Sequence, residues 1–276
     1  MLRTRIITAA VLVPPIVAGI LWLPTVAVAV LFALLMIVGA REWAHLARLQ
    51  QARECGAYVA LYCVLAALLL LAGHLALAWP ARMLVCAACL WWLVALYWLW
   101  RYPRGWAAGP GRPLIGSAIG LLALCAAVAA IQAIHGREQG AGLLLLFFVL
   151  VWGADTGAYF VGRSLGRHKL AVAISPGKTR EGAAGGIAVA ILLAAVGASV
   201  LQYNGLRWLG LVVLGGWVAG VSIVGDLTLS MFKRHAEIKD SGNFFPGHGG
   251  VLDRLDSALA AAPWFAVGLL LAGIET

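Results

Sequence analysis

Long apolar blocks alternate with short polar ones along the whole chain. The blocks cover residues 6–22, 25–40, 57–78, 83–100, 114–134, 141–162, 183–201, 208–231 and 258–274. Most approach the roughly 20 apolar residues that a helix needs to cross the hydrocarbon of a bilayer. A closed β-barrel is the other spanning solution, because both forms pair every backbone polar group internally. Barrel strands alternate apolar and polar positions. The run from Leu143 to Val151 shows no such alternation. The pattern therefore predicts an all-α, polytopic integral membrane protein with about nine transmembrane helices.

The first block has Arg3 and Arg5 before it, and Ala27-Val28-Ala29 after it resembles a cleavage site. The apolar stretch between them is long for a secretory signal and contains Pro14 and Pro15. It is expected to stay as a span.

Composition agrees with the pattern. Hydrophobic residues make up 63% of the 276 and charged residues 11%, and mean hydropathy is +0.95. A soluble domain carries roughly 45–50% apolar and about 25% charged residues. So few charges cannot coat a water-soluble globule, and so much hydrophobicity excludes disorder.

The net charge of +9 would suggest nucleic acid in a soluble protein. Here the basic residues divide by loop. Arg82, Arg137 and Arg207 fall on one side of the predicted spans, and the other 17 of the 20 Lys and Arg fall on the opposite side. The positive-inside rule makes the richer side cytoplasmic. The N-terminus is then inside and, with nine spans, the C-terminus is periplasmic or outside. No nucleic-acid partner is needed to explain the charge. Trp22, Trp79, Trp106 and Trp208 end apolar runs, as interfacial anchors do. Cys86 and Cys89 have redox spacing without a surrounding βαβ pattern, so all five cysteines are expected to be packing residues.

The chain divides unevenly. Residues 1–140 are apolar spans with short loops, expected to serve as a support, dimer or lipid-facing region. Residues 141–276 carry two long cytoplasmic loops and nearly all the unusual polar residues. The halves show no repeat, which weighs against a transporter built from related halves.

The chemistry-bearing residues lie in this second region. Asp155 and Asp226 fall inside predicted spans near their cytoplasmic ends. A carboxylate at the centre of a span costs about 2.5–3.5 kcal/mol on insertion scales, so each needs a partner. That partner is either a hydrogen bond to a neighbouring helix or a ligand. Asp253 and Asp256 stand three apart at the start of the last helix, hence on one face. Capping the helix N-terminus is one reading. A hard-cation site with Asp226 is another, because Mg²⁺ takes one or two carboxylates and completes its shell with water and phosphate. Ser230, Lys233 and Arg234 share a helix face, and Lys239 and Asp240 follow. The segment Ser175-Pro-Gly-Lys-Thr-Arg180 adds Lys178 and Thr179. Its Gly-Lys-Thr is not a P-loop, because Val172 stands where that motif needs glycine. Lys and Arg beside carboxylates suit a phosphate–metal complex, or simply a basic loop on anionic lipid. His248 lies between Gly247 and Gly249, where small residues permit close approach of a ligand. Together these residues propose a cytoplasm-facing, Mg²⁺-dependent site for a polyanionic phosphate substrate, at a depth that a lipid reaches.

The stretch from Ser230 to Asp256, SMFKRHAEIKDSGNFFPGHGGVLDRLD, resembles the signature of the phosphatidate cytidylyltransferase (CDP-diacylglycerol synthase) family. All 27 residues align with it, and each fixed position is filled. Asp155-Thr-Gly-Ala-Tyr and Ser175-Pro-Gly-Lys-Thr also resemble that family. Arg180 stands where relatives often have an aromatic residue, and it takes no family role. Residues 1–140 are similar only in being apolar spans.

The resemblance implies a multi-pass bacterial enzyme of the inner membrane, dimeric, that joins CTP to phosphatidic acid. The products would be CDP-diacylglycerol and pyrophosphate. It implies Mg²⁺ and allows a second cation such as K⁺. On this view Asp226, Asp253 and Asp256 bind metal, and Lys233, Arg234, Lys239 and Lys178 hold phosphates. Ser175, Thr179, Ser230 and Arg254 contact substrate. Asp155 and Asp240 orient the site, while His248, Gly249 and Gly250 shape the loop against nucleotide.

Three rival readings make different demands on the sequence. A CDP-alcohol phosphatidyltransferase needs an Asp-Gly-x-x-Ala-Arg opening, which is absent. A CTP-dependent lipid-alcohol kinase is closer in chemistry. A transporter would use Asp155 and Asp226 along a pathway.

Overall fold

The computed structural model describes residues 13–74, 78–106, 109–244 and 249–274. Helix α1 (Val13–Trp22) is short over the described residues. There follow α2 (Thr25–Leu46), α3 (Ala52–His74), α4 (Ala78–Arg101), α5 (Pro113–His135), α6 (Gly140–Leu165), α7 (Arg180–Val200), α8 (Gly205–His235) and α9 (Leu252–Leu271). A two-stranded hairpin, β1 (Lys169–Ala171) and β2 (Ser175–Thr179), joins α6 to α7. Among the described residues, the eight helices from α2 to α9 are long and apolar enough to cross a membrane. Residues 6–12 of the first expected span lie outside the described residues. Ala27-Val28-Ala29 lies inside α2, with Val28 and Ala29 buried.

Local chemistry sets several boundaries. Pro113 opens α5, where its missing N–H and fixed φ are tolerated. The Thr179 hydroxyl caps α7 by accepting from Gly182 N at 3.1 Å, and Glu181 lies in the first turn. Several ends differ from the apolar pattern, two of them at the polar residues of α8 and α9. Helix α8 runs four residues past the expected 231, and α9 starts at 252 rather than 258. Polar side chains at both ends are paired inside the protein, so helix continues where the hydrophobic run has stopped.

Helices α5 and α9 form the centre of the bundle; 67% and 61% of their most apolar windows are buried. Ala123, Ala126, Ala127 and Ala130 of α5 are fully enclosed. The corresponding shares are 17% for α3 and 22% for α7, which place large apolar side chains such as Leu68 and Leu192 on the outside. That surface suits lipid, where helices associate through close packing of small residues rather than hydrophobic exclusion. Helices α6 and α7 cross closely: a Cβ at Gly186 would lie 2.6 Å from the Ala154 carbonyl. Helices α8 and α9 do the same at Gly225, where a Cβ would lie 2.6 Å from the Asp256 carbonyl. This second crossing brings Asp226 beside Asp256.

Three expectations need correction. Trp106 is not an interfacial anchor: it is 2% exposed and stacks edge-on against Phe232, centroids 4.9 Å apart. Trp22 and Trp79 are exposed, as anchors should be. Cys86 is exposed on the outer face of α4, whereas Cys89 and Cys125 are buried. The sixth loop, expected only as a long cytoplasmic loop of an all-α protein, contains the hairpin. Its strands pair antiparallel with Lys169 opposite Thr179 and Ala171 opposite Ser175.

Candidate functional site

A cavity of about 560 Å³ opens between α6, the hairpin, α7, α8 and α9. Its wall carries four carboxylates: Asp155 from α6, Asp226 from α8, and Asp253 and Asp256 from α9. Ser175, Lys178 and Thr179 from the hairpin line the same cavity. Residues separated by up to 101 positions thus meet in one space.

The carboxylates have different partners. Asp226 pairs with Lys178 through Oδ2 and accepts from the Ser230 hydroxyl at 3.3 Å through Oδ1. Asp253 accepts from Lys233 Nζ at 2.8 Å through Oδ1. Its Oδ2 accepts from the backbone N–H groups of Ser241 at 2.8 Å and Gly250 at 3.0 Å. Asp256 accepts from the Ser257 N–H at 2.7 Å, and Asp155 accepts from the Ser257 hydroxyl at 3.4 Å. Two lysines therefore neutralise two of the four acids, and a serine on α9 links the other two.

The remaining expected residues are distributed around this centre. Arg234 lies on the outer side of α8 and donates from Nε to the Ile174 carbonyl at 3.2 Å, which ties α8 to the hairpin turn. The Thr179 hydroxyl is engaged in the α7 cap while its residue lines the cavity. Lys239 and Asp240 are exposed on the segment after α8. Gly249 has a φ of +83° and sits against Asp253, where a Cβ would meet Oδ2 at 2.8 Å. Gly250 is buried beside it. Arg254 occupies the first turn of α9 with an exposed side chain. His248 lies outside the described residues.

The site also contains residues that the sequence reading missed. Tyr159 and Arg163 line the cavity one turn apart on α6, with Arg163 donating to the Tyr159 oxygen at 3.1 Å. Glu181 pins the start of the hairpin by accepting from the N–H groups of Arg167 and His168 and from the His168 ring. Glu42 of α2 is 5% exposed and accepts from Ser241, Val251 and Leu252. A signal for Glu42 existed: the chain has only 11 acidic residues, and this one sits at the end of an apolar helix.

The arrangement suits phosphate chemistry at a membrane boundary. Hard oxygen donors and the Lys178 ammonium line a cavity large enough for a small polyanion. The match to known proteins is extensive. A model of the cytidylyltransferase family aligns with residues 3–272. The chain belongs to the cytidylyltransferase family. It is 43% identical to a Pseudomonas aeruginosa protein named phosphatidate cytidylyltransferase, with 99% of this chain and 98% of the relative aligned. A Haemophilus influenzae protein of the same name is 34% identical over 96% of this chain and 98% of its own length. A Bacillus subtilis protein of that name is 46% identical over 45% of this chain. The family match covers α1 to α9, so it includes the first half that the sequence motifs left unassigned.

Proposed function

We propose that this chain transfers the cytidylyl group of CTP to phosphatidate, giving CDP-diacylglycerol and pyrophosphate. The observation that carries the reading is one cavity, at the end of four apolar helices, that joins four carboxylates to Lys178 within a chain of the cytidylyltransferase family. The alignment with phosphatidate cytidylyltransferases over nearly the whole length supports the choice of acceptor.

In this reaction a phosphatidate oxygen bonds to the α-phosphorus of CTP. The bond from that phosphorus to the bridging oxygen breaks, and pyrophosphate leaves with the electron pair. The attacking phosphate is already anionic near neutral pH, so no side chain has to remove a proton. The barrier lies in bringing two polyanions together in line, which positioning and positive charge reduce. Lys178 and Lys233 pair directly with two members of the carboxylate cluster. They are suited to exchange their carboxylate partners for phosphate oxygens as substrate enters. Ser175 lines the same wall and can donate a hydroxyl. A cavity at the membrane boundary admits a soluble nucleotide from one side and a bilayer lipid from the other.

The donor set fits Mg²⁺. Among the described residues no three His, Cys, Asp or Glu side chains close a cage around an ion. Mg²⁺ characteristically takes one or two carboxylates and shares the rest of its shell with water and phosphate. One or two carboxylates of the set Asp226, Asp253 and Asp256 would hold it, and the presence of a fourth acid at Asp155 leaves charge for a second cation such as K⁺. When bound, the ion neutralises phosphate charge and favours departure of pyrophosphate.

The skewed basic residues support a topology with the hairpin, the 236–251 segment and the N-terminus on the cytoplasmic side, in the inner membrane of a bacterium. The C-terminus then lies outside. The family resemblance adds a homodimer. Radiolabelled CTP, phosphatidate vesicles and Mg²⁺ test the whole reading. Release of pyrophosphate that requires the lipid is expected. Release of CDP would instead identify a kinase, and uptake of solute without lipid product a transporter.

A further inference from the structure

Glu42 sits at the end of α2, in the half of the chain that carries none of the motif residues. It is nevertheless bonded to the loop that precedes α9. Its Oε1 accepts from Val251 N at 2.9 Å. Its Oε2 accepts from Leu252 N at 2.8 Å and from the Ser241 hydroxyl at 2.8 Å. One carboxylate therefore grips both ends of the segment from 241 to 252. The same Ser241 donates its backbone N–H to Asp253, and so does Gly250. A hydrogen-bonded path runs from Glu42 through Ser241 to Asp253 and on to Lys233.

The surroundings are built for a carboxylate. A Cβ on Gly250 would overlap both Glu42 Oε1 and the Ser241 hydroxyl, and a Cβ on Gly242 would meet the Glu42 carboxyl. Two glycines thus let the backbone close over the side chain. The negative charge also faces the first N–H groups of α9, which an isolated helix leaves unpaired. No element of α2 itself requires these bonds; every partner lies about 200 residues away, in the 241–252 segment.

We infer that Glu42 is a positioning residue for cytidylyl transfer. It touches no substrate. It fixes Ser241 and the backbone at 250–252 so that two backbone N–H groups hold the Asp253 carboxylate towards Lys233 and the cavity. This rests on the reaction proposed above. A glutamine at this place keeps the length but turns one acceptor into a donor, so at least one of Val251 N and Leu252 N loses its partner.

The test uses full-length protein in detergent–lipid micelles, with Glu42→Gln compared against Tyr62→Phe. Tyr62 of α3 is buried and donates to the Ala33 carbonyl of α2 at 3.0 Å, so its variant removes a buried α3–α2 bond between residues that do not line the cavity. Outer-shell partners of catalytic and metal-binding groups typically contribute about 10–100-fold to activity. Glu42→Gln should lower kcat by that order with KM for CTP little changed, while Tyr62→Phe retains wild-type kcat. Amide exchange should rise across the 241–252 segment in Glu42→Gln and not in α3. Wild-type kcat in Glu42→Gln, or equal kcat losses in both variants, would overturn the inference. So would unchanged exchange in the segment. A wild-type enzyme that releases no lipid-dependent pyrophosphate would overturn the proposed reaction instead, and the exchange result would still decide whether Glu42 holds the loop.

Discussion

Replacing Lys233 with methionine isolates one charge at the centre of the site. Lys233 Nζ lies 2.8 Å from Asp253 Oδ1, with the two side chains 14% and 7% exposed. At that distance and an effective dielectric near 20, the Coulomb attraction is about 6 kcal/mol. Desolvation of both groups offsets most of it, so the pair as a whole contributes far less. Removing one member is different, because it strands the other: the usual loss is about 3–5 kcal/mol. Asp253 keeps its two backbone donors, Ser241 N and Gly250 N. That retention puts the expected loss near the lower end, about 3 kcal/mol, or roughly a hundredfold in the folding equilibrium. Methionine preserves an unbranched apolar stem, so lost packing contributes little. Reversible unfolding of the micelle-bound protein in SDS, followed by tryptophan fluorescence, measures the difference. The double variant Lys233→Met/Asp253→Asn should recover part of the loss, since asparagine carries no charge to strand. A loss under about 1 kcal/mol, the range of solvent-exposed pairs, would refute the reasoning. A double variant no more stable than Lys233→Met would refute it as well.

Other variants separate the roles of the remaining residues. Asp253→Asn should abolish CTP turnover in membranes while the protein still inserts; near-normal turnover with Mg²⁺ would remove Asp253 from the proposed metal set. Lys178→Gln should lower kcat/KM for CTP by about 10–100-fold, the equivalent of one charge-assisted hydrogen bond of about 1.5–3 kcal/mol, read by initial-rate kinetics. A wild-type value would mean that Lys178 only neutralises Asp226. Gly225→Ala should force α8 from α9, because the new methyl meets the Asp256 carbonyl. Overpacking of this kind costs about 1–3 kcal/mol, and turnover should fall further than stability does, as judged by activity per folded molecule.

Much of the site was legible because its signals are local. Asp155 and Asp226 stand out inside apolar runs, and the spacing of Asp253 and Asp256 places them on one helix face. The structure brings all four to one cavity. The hairpin was not legible: Lys169–Ala171 and Ser175–Thr179 are too short to display a strand period, and their pairing depends on Arg234 and Glu181 holding the turn and base. Trp106 misled because a tryptophan at the end of an apolar run looks the same whether it meets headgroups or Phe232.

What the sequence determined by itself was the membrane class, the spans, the divided positive charge and a family signature. These follow from periodicity, composition and spacing, which are properties of neighbouring residues. Tertiary structure decided which lysine pairs with which carboxylate. It also decided that Glu42, in a helix without motifs, closes the loop next to Asp253. The reason is physical. A buried charge takes the partner that the backbone path delivers within about 3 Å, and that path is set by helix crossings at residues such as Gly186 and Gly225 rather than by distance along the chain.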